Sequence, residues 1–245
     1  MATLVLVHGA MHGGWCWRVV ADRLTATGHR VHRPSLTGQG ERSHLLTPEV
    51  GIGTHLRDLE QLFFFEAIDD AVLVLHSYAG ILAGPLAERL AGKVRTLVVV
   101  GGFLARPGEC LLDVQPQETR DRYLSLAREQ GDGWRLPAMP RFLDQWGIRD
   151  PGLRALVTPR LTDFPLKCLT DRLTFEPAAL DALRRVYIEH TDPELPSLAM
   201  SVERALGGGW EIHRIRSGHD MMLADPESTA SLLDRIARGQ GLEAV

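Results

Sequence analysis

Ala71-Val-Leu-Val-Leu-His-Ser77-Tyr-Ala-Gly80 is the stretch that decides the fold. An apolar run of strand length ends in His76-Ser77. A small, Gly-containing turn follows, and a helical pattern starts at once in Ile81-Leu-Ala-Gly-Pro-Leu-Ala-Glu-Arg-Leu90. Strand, sharp turn and helix place Ser77 at the apex. Its hydroxyl then projects above a sheet edge, beside the positive N-terminus of the next helix. A serine after a strand is more often a plain turn residue. The nucleophile reading therefore depends on partners at matching places elsewhere.

Working outward, apolar runs of strand length recur at residues 3–8, 30–34, 94–100, 184–190 and 210–215. Helical patterns fall at 15–27, 54–67, 80–91 and 226–238. Strands apolar on both faces, alternating with helices, predict an α/β fold with a mostly parallel sheet and helices on both faces. Sites in such sheets lie beyond the carboxyl ends of the strands. Residues 106–177 break the rhythm with Pro, Gly and Trp punctuation and predict a helical cap insertion. The core is then 1–105 and 178–245.

Composition excludes several classes. The chain has 245 residues and a net charge of −4 without basic or acidic blocks, which argues against nucleic acid or an anionic membrane as partner. Its apolar runs are too short to span a bilayer. The N-terminus enters a strand directly, without the basic and cleavable pattern of a signal peptide, so a cytoplasmic location is expected. Cys16, Cys110 and Cys168 are odd in number and widely spaced, which suits reduced thiols. No Cys/His spacing resembles a zinc site, and neither metal nor organic cofactor is expected. Exposed apolar residues of the cap would suit a homodimer.

A serine nucleophile needs a base, and the base needs an acid to orient it. Asp192 follows the run 184–190, and His219 follows 210–215 in Arg216-Ser-Gly-His-Asp-Met-Met-Leu-Ala-Asp225. Ser77, Asp192 and His219 therefore stand at three strand ends in a workable order. Asp225 reads as the N-cap of the last helix, Asp220 adjoins the base and is expected to point away, and Glu194 is a reserve acid. The Gly-rich turn His8-Gly-Ala-Met-His-Gly-Gly-Trp15 offers the Ala10 N–H to a developing oxyanion, and the Tyr78 N–H offers the second donor. His8 and His12 are expected to shape that turn. His76 is expected to face the other side of the strand. Gly9, Met11, His12, Phe103, Trp134, Phe164 and Met221 are the expected pocket residues.

These motifs, with Leu36-Thr-Gly-Gln-Gly-Glu-Arg-Ser-His44 and Gly131-Asp-Gly-Trp-Arg135, resemble the compact α/β-hydrolases of the plant methyl esterase and hydroxynitrile lyase group, and most of all their bacterial relatives. The resemblance covers nearly the whole chain. It implies Ser77, Asp192 and His219 as nucleophile, acid and base, with Ala10 and Tyr78 as oxyanion donors. The lyase branch carries threonine at the position of Gly9 and lysine at that of Asp220, so the resemblance favours an esterase. Leu75 and Ala79 stand where the family elbow has glycines, and Leu75 is expected to crowd the turn. The strand end Val100-Gly-Gly-Phe103 lacks an aspartate that relatives often place there. The expected activity is hydrolysis of a carboxylic ester or lactone of a small, largely apolar molecule. A lyase, cyclase or carbon–carbon bond former on the same fold, or a ligand-binding protein with a vestigial triad, are the alternatives.

Overall fold

The computed structural model describes residues 1–240. Six strands form one sheet: β1 (Thr3–Val7), β2 (Arg30–His32), β3 (Ala71–His76), β4 (Val94–Val100), β5 (Arg184–His190) and β6 (Glu211–Ile215). Their spatial order is β2-β1-β3-β4-β5-β6, and every neighbouring pair is parallel. The chain runs outward from β1 to β2 and then returns to build on the other side of β1. That reversal opens a crevice between the carboxyl ends of β1 and β3, where sites in parallel sheets lie.

Alternating strand residues feed two cores. Val5, Val7, Leu73, Leu75, Leu97, Val99 and Tyr187 face one side. There they meet Leu56, Leu59 and Phe63 of α2 (Ile52–Phe65) and Leu86 of α3 (Ala83–Arg89). Leu4, Leu6, Val72, Val74, Val98, Val186 and Ile188 face the other side. Val20 and Leu24 of α1 (Arg18–Ala26) and Leu233 and Ile236 of the C-terminal helix (Pro226–Ala237) close over them. All six residues of β3 are buried, as a central strand covered on both faces requires.

The segment between β4 and β5 holds α4 (Gln117–Gln130), a two-stranded ribbon (Arg135–Leu136 with Phe164–Pro165) and short helices at Phe142–Gln145, Pro151–Val157 and Lys167–Thr170. Its Leu112, Leu126, Leu136, Phe142 and Phe164 belong to the same core cluster as Leu73 and Val99. It therefore packs directly on the sheet edge that carries the site.

Helix α5 (Ala199–Gly207) has no counterpart among the expected helices. Its nine residues are amphipathic, and Leu198, just before it, and Ala205 within it pack into the core.

The turn after β1 is held by close backbone approach. A Cβ on Gly14 would lie 2.0 Å from the Arg33 carbonyl oxygen, and the Gly14 N–H donates to Ser35 Oγ at 2.7 Å. Backbone on both sides leaves no side chain free to yield. Gly14→Ala is expected to destabilise the protein by about 3 kcal/mol, which thermal unfolding would report as a Tm lower by roughly 6–12 °C.

Candidate active site

Ser77 carries a φ of +53°, the left-handed conformation that side chains other than glycine rarely adopt. It follows β3 directly and opens a 3-10 helix over Ser77–Leu82 that runs into α3. The turn is tight where the chain doubles back. A Cβ on Gly80 would lie 2.7 Å from the Phe103 carbonyl oxygen, and the Phe103 N–H donates to the Ser77 carbonyl at 3.1 Å. Leu75 is fully buried between Val7 and Val99 and packs into the core below. Leu75 is not among the residues that line the pocket at Ser77.

His219 lies in the loop after β6. Its Nε2 is 2.9 Å from Ser77 Oγ. The ring is buried, and burial pushes its pKa well below the ordinary histidine value, with His76, His190 and His12 adding to the effect. The ring is therefore neutral near pH 7, and its Nε2 accepts a hydrogen bond from the Ser77 hydroxyl. His76 holds the loop from beneath: its Nε2 donates to the His219 carbonyl at 3.0 Å. Burial holds His76 down to about 4, so it too is neutral.

The expected Asp192–His219 hydrogen bond is absent. Asp192 Oδ1 accepts from Arg149 Nη2 at 3.0 Å, and the carboxylate side chain is 43% exposed. His219 Nδ1 has no hydrogen-bond partner. Arg149 comes from the segment between β4 and β5, and its pull on Asp192 is not visible in local sequence. Asp225 caps the C-terminal helix by accepting from the Ser228 N–H at 3.0 Å, as expected. Asp220 does not point away from the site. It is fully buried, with Oδ2 3.2 Å from His12 Nε2 and Oδ1 3.8 Å from His76 Nε2.

The turn after β1 brings Ala10 to the pocket wall beside Ser77 and Tyr78. Tyr78 is the second residue of its helix, where the backbone N–H has no intrahelical acceptor. His8 shapes the turn: its Nδ1 donates to the Gly9 carbonyl at 2.7 Å, and its Nε2 accepts from the Leu36 N–H at 3.0 Å. Burial lowers its pKa to about 3, which fixes that neutral form. Gln39 is a residue the sequence did not single out. It accepts from the Met11 N–H at 3.0 Å and donates to the Asp163 carbonyl at 2.8 Å, so it pins the turn to the segment above. Met11 itself has a φ of +66°.

The pocket at Ser77 is narrow, about 60 Å³, and is lined by Met11, His12 and Phe103, with Tyr123, Phe142 and Trp146. The other expected lining residues sit elsewhere. Gly9 lies beneath Ser77, where even a Cβ would crowd the serine. Phe164 sits one layer behind and packs edge-on against Tyr78, ring centroids 4.7 Å apart. Trp134 is half-buried, with the Arg135 guanidinium over its ring. Met221 turns into the core on the opposite sheet face, because it starts a new helical turn after Asp220. One group of possible metal ligands occurs among the described residues: His76, His219 and Asp220, whose ligating atoms lie within 4.8 Å of one another. Their engagement with Ser77, the His219 carbonyl and His12 suits proton handling.

The sequence pattern of the alpha/beta hydrolase family matches residues 4–232. The carbendazim hydrolyzing esterase of Nocardioides sp. (strain SG-4G) is 33% identical over 245 residues, covering 95% of this chain and 98% of that one. Methylesterase 9 of Arabidopsis thaliana is 36% identical over 105 residues, 42% of this chain and 41% of its own length. An extracellular alpha/beta-hydrolase of a Paenibacillus species superposes with a TM-score of 0.86 at 18% identity, covering 97% of this chain and all of that one (100%). The chain belongs to the alpha/beta hydrolase family, among its carboxylic ester hydrolases.

Proposed function

We propose that this protein is a serine esterase that cleaves methyl or other small alkyl esters and carbamates of small, largely apolar molecules. The observation that carries the reading is the 2.9 Å contact of Ser77 Oγ with a neutral, buried His219 at a residue held at φ +53°. A hydroxyl is activated in that way for attack on a carbonyl. His219 takes the Ser77 proton as the tetrahedral intermediate forms, and the Ala10 and Tyr78 N–H groups receive its oxyanion. The same imidazole protonates the departing alcohol and then activates water to release the acid. The narrow, mostly apolar pocket suits a slender substrate with a small alkoxy group. Methylesterase and carbendazim esterase relatives support the same class, since carbendazim is itself a methyl carbamate.

Gly9 favours hydrolysis over the lyase alternative. A Cβ there would lie 2.7 Å from Ser77 Cβ and 2.9 Å from His76 Nδ1. A threonine hydroxyl cannot be presented from this position without displacing the nucleophile.

Ser77→Ala is expected to abolish turnover of p-nitrophenyl acetate and of methyl esters with an unchanged Tm. Intact-mass measurement should find one fluorophosphonate adduct on wild type and none on the variant. Turnover retained by Ser77→Ala, or no adduct on folded wild type, would overturn the proposal. Gly9→Ala should slow both fluorophosphonate labelling and kcat by about 100-fold, because it shifts the attacking oxygen. The pH profile follows from His219. Only its neutral form is a base, and its pKa is depressed, so kcat/KM should stay level as pH falls through 6.5 and decline only at lower pH. A decline centred at or above 6.5 would contradict the assignment.

A further inference from the structure

Asp220 is the only carboxylate among the described residues that is buried. Neither of its side-chain oxygens receives an aligned hydrogen bond. A carboxylate out of water needs compensation from a nearby cation. His12 supplies it: Nε2 stands 3.2 Å from Asp220 Oδ2, off the line of the N–H, as an ion pair. The other ring nitrogen, Nδ1, lies 2.9 Å from the Ala10 carbonyl oxygen. Both nitrogens thus face atoms that only accept, Nδ1 across a hydrogen bond and Nε2 across an ion-pair distance, which favours the doubly protonated ring. Burial alone would push His12 down, but the Asp220 carboxylate outweighs it and raises the pKa, with help from the Ala10 carbonyl. Trp15 stacks on the ring at 5.5 Å and Trp146 tilts over it at 5.1 Å, both favourable neighbours for a cation.

The two residues come from different loops. His12 belongs to the turn after β1 that holds Ala10, and Asp220 directly follows the base. The Asp220 backbone is fixed in turn, its N–H donating to the Trp146 carbonyl at 3.3 Å and its carbonyl accepting from Leu223 and Ala224 at 2.9 Å. Its carboxylate also stands in the cluster with His76 and His219, all within 4.8 Å. The titratable groups facing His12 are Asp220, His8, His76 and His219.

We propose that Asp220 is a positioning residue for the Ser77–His219 pair: it clasps His12 of the oxyanion turn to the loop that carries His219. The inference rests on the esterase reading above, and it gives Asp220 a place in the site that Asp192, held by Arg149, does not take.

The test compares Asp220→Asn, His12→Asn and Asp192→Asn on p-nitrophenyl acetate, with ring ¹⁵N NMR of the histidines at pH 7. Asp220→Asn should lower kcat by about 100-fold with KM within about fivefold, and the Asp220→Asn/His12→Asn double variant should fall no further than Asp220→Asn, since the two act as one unit. Asp192→Asn should stay within about fivefold of wild type. NMR should show His12 doubly protonated in wild type and neutral in Asp220→Asn, a change that a merely structural role would not require. A large loss in Asp192→Asn with Asp220→Asn near wild type overturns the proposal, as does a neutral His12 in wild type. Should Asp220→Asn fail to fold, His12→Asn decides: a loss of about 100-fold supports the clasp and wild-type turnover overturns it. Fluorophosphonate labelling of wild-type Ser77 reports separately on the esterase reading, and the charge of His12 reports on the clasp whether or not any ester is turned over.

Discussion

The chemistry proposed for this molecule depends on holding one non-glycine residue, Ser77, in the left-handed region. Such a conformation costs about 1–3 kcal/mol and persists only when its surroundings over-determine it. Here they do. β3 is hydrogen-bonded on both edges, by β1 and β4, and all its residues are buried. The next residues are drawn into a helix, and Phe103 bonds the Ser77 carbonyl from the neighbouring strand end. Glycines stand where backbones meet, at Gly80 against Phe103 and at Gly9 against Ser77. The rest of the chain fixes an angle, and that angle delivers a hydroxyl to within 2.9 Å of a base.

The depth of the site sets its electrostatics. His8, His12, His76, His190 and His219 are all buried, and burial favours the neutral imidazole. For His219 that is useful at rest, because a neutral base is available at and below pH 7. It is adverse during attack, when the ring must carry a proton far from water. His76 and His190, each held down to about 4, add no second charge. Asp220, the one buried carboxylate among the described residues, balances the charge on His12, so the cluster around His219 holds no uncompensated cation.

Much of this was legible in sequence. Strands buried on both faces write themselves as unbroken apolar runs, and 71–76, 94–100 and 184–190 match β3, β4 and β5. Ser77 and His219 were legible because each sits just beyond a strand end, and a parallel sheet collects those ends along one edge. What failed was orientation. The sequence puts Asp192 in a loop near His219, yet a distant Arg149 decides where its carboxylate turns. Met221 follows the base by two residues, yet a helical turn carries it to the opposite core. Adjacency to His219 says nothing of where Asp220 turns, because its partner lies 208 residues earlier, at position 12. Gln39 lies in the run Leu36–His44, but its tie to Asp163 spans 124 residues.

These failures share a physical cause that also bears on how the site works. Strand positions are set by periodic burial, a local property, while side-chain directions at strand ends are set by whichever opposite charge or open acceptor the fold brings near. The segment between β4 and β5 does much of that setting. It supplies Arg149 to Asp192, Trp146 to His12 and to the Asp220 N–H, and the Asp163 carbonyl to Gln39. It also supplies Phe142 and Tyr123 to the pocket wall. A segment that both lines the pocket and orients the charged groups beneath it couples substrate fit to the state of the base. Changes in its sequence would therefore alter specificity and reactivity together, while the strand ends that carry Ser77 and His219 stay unchanged.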